Sequence, residues 1–185
     1  METPERVKRN VADLHWLATL LTGRPEIATE LTFQAIAPAE DANAFFSTWM
    51  HAWSRRIAIA KALAAVREDL ARSARQMAVK GAEKFNFPRR SWTLEPETTK
   101  ADLERALLRI DIFPRAAVLL LVFERVPLHD AAILLESDPN VIREGLAAGL
   151  RELTTNLAGM PWKSGVTGSN TNHEEHYVRP TPIPS

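Results

Sequence analysis

The stretch VPLHDAAILLESDPNVIREGLAAGLREL, residues Val126–Leu153, decides the fold class. Its apolar residues recur at three- and four-residue spacing on both sides of a short polar break, which is the period of helices. A short helix over LHDAAILLE, a tight turn and a longer helix reaching about Leu157 are predicted. Ser137 is a good N-cap for the longer helix, and Pro139 is tolerated in its first turn. The rhythm is that of a helix–turn–helix, a unit whose second helix lies in the DNA major groove. Between Ile142 and Arg151, however, only Arg143 and Arg151 are basic, and Asp138 and Glu144 would repel phosphate.

Outward from this stretch the same helical period continues. No window before residue 158 alternates apolar and polar residues as a half-buried strand does, and Ala and Leu abound. A first helix is expected from about Pro4 to Leu21, with Val11, Leu14, Leu17, Ala18 and Leu21 on one face. TGRP breaks it, and Pro25 suits the first turn of a second helix ending near Ile36. A long helix is expected from about Phe45 toward Val79, with Ile59, Leu63, Val66, Leu70 and Met77 on one side and Lys61, Arg72 and Arg75 opposite. The pattern lapses between Gly81 and Thr99, where Phe85, Phe87 and Trp92 suggest a linker that packs on something. Helical spacing resumes near Lys100, with Pro114 opening and Pro127 closing a further helix. The expected fold is all-α. Two small helical domains, 1–80 and 101–158, are joined by a linker at 81–100, and the second ends in the helix–turn–helix. A tail at 159–185, rich in Gly, Pro, Ser and Asn, is expected to be disordered.

The 185-residue chain contains no cysteine, so disulfides, zinc–thiolate sites and cysteine nucleophiles are excluded. Its N-terminus is polar, and its longest apolar run, Ala116–Phe123, falls far short of the ~20 residues that span a bilayer. A soluble, cytoplasmic protein with no membrane partner is expected. Net charge is zero but uneven: residues 1–54 carry 4 basic and 7 acidic side chains, residues 55–90 carry 10 and 3, and residues 101–158 carry 6 and 9. The positive charge therefore sits in the middle of the chain, and the helix–turn–helix is acidic.

Little else in the sequence points to chemistry. His173, Glu174, Glu175 and His176 place two histidines three residues apart in the tail, whereas the zinc-protease motif needs them four apart on a rigid helix. No phosphate-binding glycine loop, dinucleotide fingerprint or nucleophile elbow occurs. No cofactor, no metal and no enzymatic activity are expected.

Three segments, in this order, carry a resemblance. LATLLTGRPEIATELTFQAI (Leu17–Ile36), WMHAWSRRIAIA (Trp49–Ala60) and FPRAAVLLLVFERVPLHDAAILLESDPNVI (Phe113–Ile142) resemble the extracytoplasmic-function sigma factors of bacterial RNA polymerase. The likeness spans roughly residues 10–75 and 103–155. It implies core RNA polymerase and promoter DNA as partners, with transcription initiation and its regulation as the function. Carried over residue by residue, it assigns polymerase contact to Glu30, Phe33 and Gln34. It assigns DNA contact to Trp49, Trp53, Arg55, Arg56 and Lys61, and upstream promoter reading to Asn140, Arg143 and Arg151. Stacking aromatics beside cations suit a displaced single strand, although two tryptophans spaced i, i+4 are also what a core-facing helix presents.

The chain departs from the family where Arg56 replaces an asparagine, Ala60 an aspartate and Phe33 a hydrogen-bonding glutamine. With the acidic second helix of the helix–turn–helix, these departures imply altered polymerase contact and weak promoter reading. The alternative is a sigma-mimicking interaction protein that binds an anti-sigma protein and has lost promoter reading.

Overall fold

The computed structural model describes residues 4–36, 47–79 and 98–159, and every regular element among them is helical. Helix α1 (Pro4–Thr22) and α2 (Pro25–Ile36) form an antiparallel corner, followed by α3 (Ser47–Ala65) and α4 (Arg67–Val79). Then come α5 (Lys100–Leu108), α6 (Ile112–Val118) with a π-helical extension (Leu119–Phe123), α7 (Leu128–Leu134) and α8 (Pro139–Ala158). Phe85, Phe87, Trp92, most of the expected linker and the tail from residue 160 onward, including His173 and His176, lie outside the described residues.

The all-α expectation holds, with three local corrections. The long central helix is two helices. At Val66 the backbone N–H bonds Leu63 O, three residues back, and this tighter turn separates α3 from α4 with no Pro or Gly to announce it. Pro114 does not open its helix. Asp111 is the N-cap, its carboxylate accepting from Ile112 N at 2.8 Å, and Pro114 sits inside the first turn, where a missing N–H costs nothing. Asp138, not Ser137, caps α8. Pro139 forces the residue before it into extended backbone, which is the N-cap conformation, so the Asp138 carboxylate accepts from Asn140 N at 2.7 Å.

The buried core is continuous from α1 to α8. Leu17, Leu20 and Leu21 of α1, Leu63, Val66 and Leu70 of α3 and α4, and Phe113, Leu119 and Ile142 of the later helices belong to one cluster. The helices on either side of the sequence break at 81–100 thus pack directly on one another. Polar contacts run along the same seam. Trp16 Nε1 donates to Glu104 Oε2 at 2.9 Å, and the Lys100 ammonium lies 4.7 Å from the Trp16 ring centroid. Ser73 of α4 donates to Asp111 at 2.5 Å and accepts the backbone N–H of Phe113, satisfying a hydroxyl that is otherwise enclosed.

Among the described residues Arg115 is the one charged residue buried as a whole, and no carboxylate bonds it. Its Nη1 donates instead to Leu108 O, at the end of α5 where the negative end of a helix favours a cation, and to Ile110 O in the turn that follows. Burial pushes its pKa down, opposed by the field of Asp111. The α1–α2 corner rests on the same guanidinium. Gly23 has φ +70, and a Cβ there would lie 3.1 Å from Arg115 Nη2.

Helices α6 and α8 cross at close range because α8 carries glycine where α6 approaches. A Cβ on Gly145 would meet Phe113 Cε1 at 2.9 Å, and one on Gly149 would meet Pro114 O at 2.6 Å and Val118 Cγ2 at 2.7 Å. Alanine is the better helix former by about 1 kcal/mol, yet Gly149→Ala must separate the two helices. A net loss of about 1–3 kcal/mol is expected in urea unfolding; an unchanged or higher midpoint would show that the crossing is loose.

Candidate functional site

The residues singled out from the sequence fall on three surfaces. The first is the outer face of α2. Glu30, Phe33 and Gln34 are all exposed there, and Phe33 keeps 70% of its surface in solvent. Gln34 Nε2 donates to Glu30 Oε1 at 2.7 Å, and Lys61 Nζ of α3 donates to Gln34 Oε1 at 2.9 Å. Three expected polymerase-contact residues and one expected DNA-contact residue therefore form a continuous patch. Beside it lies a groove of about 500 Å³ between α1 and α2, lined by Val11, His15, Thr32, Phe33 and Ile36 among others.

The second surface is α3. Trp53 is half-buried, and the side chain of Trp49 lies outside the described residues. Arg55 is engaged across the molecule: its Nε donates to Glu124 Oε2 at 2.5 Å and its Nη2 to Glu124 Oε1 at 2.6 Å. Donation to the Glu124 carboxylate raises the Arg55 pKa against the opposing effect of burial. Arg56 points outward on a stripe with Ala52, Ala60 and Ala64, and no ion pair holds it among the described residues. Arg67, which the sequence placed on the same helix, instead begins α4.

That stripe runs into a second groove, about 530 Å³, between α3–α4 and the α7–α8 turn. Its floor includes Ala64, Ala71, Ala74 and Ala78, its far wall Leu135 and Val141, and Ile133 stands 65% exposed at its edge. Arg67 Nη2 meets Glu136 Oε1 at 2.8 Å, joining the two walls.

The third surface is the outside of α8. Asn140 and Arg143 are neighbours, with Arg143 Nη1 donating to Asn140 Oδ1 at 2.7 Å. Arg151 is exposed about 12 Å further along the axis, eight residues at 1.5 Å each. Glu144, half-buried, and Glu152, exposed, share the helix with these two arginines, and Asp138 stands at its start. Asn140 and Arg143 thus come together, while Arg151 stands apart.

Sequence reasoning missed Glu124, Glu136 and the groove that Glu136 borders. The pairs Arg55–Glu124 and Arg67–Glu136 join residues 69 positions apart in the chain, and no local pattern carries such a contact. Among the described residues no group of three His, Cys, Asp or Glu could hold a metal ion, and no helix is long and apolar enough to cross a membrane. Compared with protein-family models, with curated proteins and with solved structures, the chain matches none.

Glu136 adopts left-handed backbone, φ 48, which strains a side-chain-bearing residue by roughly 1–2 kcal/mol. Its exposed ion pair returns about 0–1 kcal/mol. Glu136→Gly is therefore expected to hold or raise stability, by up to about 1 kcal/mol in thermal unfolding. A loss greater than about 1 kcal/mol would mean that the Arg67 pair contributes more than an exposed pair should.

Proposed function

We propose that this chain is a sigma-factor-like protein of bacterial transcription initiation, which binds core RNA polymerase through α2 and promoter DNA through α3. The observation that carries the reading is the patch on α2. The three residues to which the resemblance assigns polymerase contact are neighbours on an exposed face, and a hydrogen bond continues that face onto Lys61 of α3. A solvent-exposed phenylalanine flanked by a carboxylate and an amide has the make-up of an interface anchor, an apolar centre with a polar rim. The reading places the protein in the cytoplasm, needs no cofactor and includes no catalytic step.

The α8 surface supports only weak promoter reading. Sequence discrimination needs side chains that reach base edges, and affinity needs several phosphate contacts. Here two arginines stand beside Asp138, Glu144 and Glu152. That acidic setting, and the engagement of Arg55 by Glu124, favour the second reading, a sigma mimic that binds an anti-sigma protein.

A pull-down of purified core polymerase with the tagged full chain tests the first reading. The wild-type chain is expected to retain the enzyme. Phe33→Ala should weaken retention about thirtyfold, as loss of a central aromatic anchor does at about 2 kcal/mol, and Glu30→Lys should weaken it in the same direction. Both positions are exposed, so helix content and melting temperature should change little. Failure of the wild-type chain to retain polymerase overturns the proposal. Retention of a purified anti-sigma protein instead, unaffected by Phe33→Ala, favours the mimic.

A further inference from the structure

Glu124 and Arg55 make an asymmetric pair. The carboxylate side chain is 7% exposed and the guanidinium side chain 41%, so the anion is enclosed while one side of the cation faces water. The two bonds have the planar fork geometry with which guanidinium also grips phosphate. The carboxylate owes its position to the π-helical extension of α6. Glu124 N–H bonds Leu119 O, five residues back, and Val126 N–H bonds Leu120 O. The widened turn rotates the residues after it by about 100° relative to an α-helix. Directly afterwards Arg125 takes left-handed backbone, φ 53, and the chain leaves the helix. Glu124 thus sits at a helix end, where local opening takes the least free energy. Arg56, the next residue along α3, is exposed and ready to act with Arg55.

We propose that Glu124 is an internal stand-in for a nucleic-acid phosphate. In the free protein it occupies Arg55, and it yields that cation to the backbone of single-stranded DNA, so the later helices restrain the DNA affinity of α3. This rests on the reading of α3 as a nucleic-acid face. The exchange replaces one charge-assisted fork with another, so its net free energy is small and added contacts, including Arg56, decide the direction. Separation of the two halves is not required. The movement it requires is that of the Glu124 side chain away from Arg55.

The test is fluorescence anisotropy of a labelled oligothymidine titrated with the full chain at one fixed salt concentration. Glu124→Gln keeps the shape and removes the charge, and it is expected to bind about tenfold tighter than wild type, with unchanged far-ultraviolet dichroism. Adding Arg55→Gln to that variant should abolish the gain. Asp130→Asn makes the same change in net charge at an exposed position of α7, and it should gain less than about threefold. Glu124→Gln binding no tighter than Asp130→Asn overturns the proposal.

Glu124→Asp keeps the charge but is too short to close both bonds, so its affinity should fall between wild type and Glu124→Gln. If Glu124→Gln fails to fold, wild-type affinity in Glu124→Asp overturns the proposal by itself. Polymerase retention by the wild-type chain with no gain in Glu124→Gln sinks this inference and leaves the functional reading standing. Absence of DNA binding in every variant removes both this inference and α3 as a nucleic-acid face.

Discussion

Residues Phe113–Leu120 are buried without exception, so this segment has no side to give to water. A helix of that kind must be covered all round, and α1, α4 and α8 cover this one. Much of the molecule is a consequence of that demand. The helices before residue 80 and those after residue 98 share one core because neither set encloses α6 alone. Arg115 lies in the middle of the segment, and its charge can be kept only where carbonyls replace water. The end of α5 and the turn after it supply them. The glycines of α8 answer the same need, since a helix that must lie against α6 gains by having no Cβ at the crossing.

Covering α6 also governs which surfaces remain for partners. Helix α8 gives Ile142, Gly145, Gly149 and Leu153 to the core, so its outward side is left with Asn140, Arg143 and Arg151 among acidic neighbours. The same packing draws α3 and α4 against the later helices, where Arg55 meets Glu124 and Arg67 meets Glu136. Two of the ten cations that make residues 55–90 basic are thereby matched with carboxylates from beyond residue 100. The charge separation visible along the chain is partly undone in space. The α2 face escapes this: Glu30, Phe33 and Gln34 lie on the far side of α2 from its buried Leu31 and Ala35, and nothing in covering α6 calls on them.

The helices were legible because their periods were strong. The Pro25 start comes from the TGRP break and the fit of proline to a first turn, and the buried face of α1 and the burial of Ile59, Leu63, Val66 and Leu70 come from spacing. The α3–α4 break at Val66 was not legible, since valine continues an apolar helical stripe and only the backbone bond to Leu63 marks the turn. The π-helical turn over LLLVF was equally silent, because five apolar residues fit an α-helix as well. At the candidate sites, residues close in sequence on one helix, such as Glu30 with Gln34 or Asn140 with Arg143, were found together. The sequence marks Arg55 for DNA contact and gives no sign of Glu124, which lies 69 residues away. Periodicity reports which side of a helix faces inward and carries no information about what the other element brings to meet it.

The backbone itself marks where the two halves are pinned. Arg125 and Glu136 are the non-glycine residues with positive φ among those described. Each comes just after the end of a helical segment, at the position where glycine relieves the left-handed turn. Each is also tied to a contact between the halves: Glu136 carries the carboxylate that reaches Arg67, and Arg125 is the next residue after the carboxylate that holds Arg55. Exposed ion pairs return too little to offset that strain, so net stabilisation does not account for Glu136 at its position. What the pair does provide is a match to one position only: a shift of the α7–α8 turn along α4 by one helical turn, about 5.4 Å, would part Arg67 from Glu136.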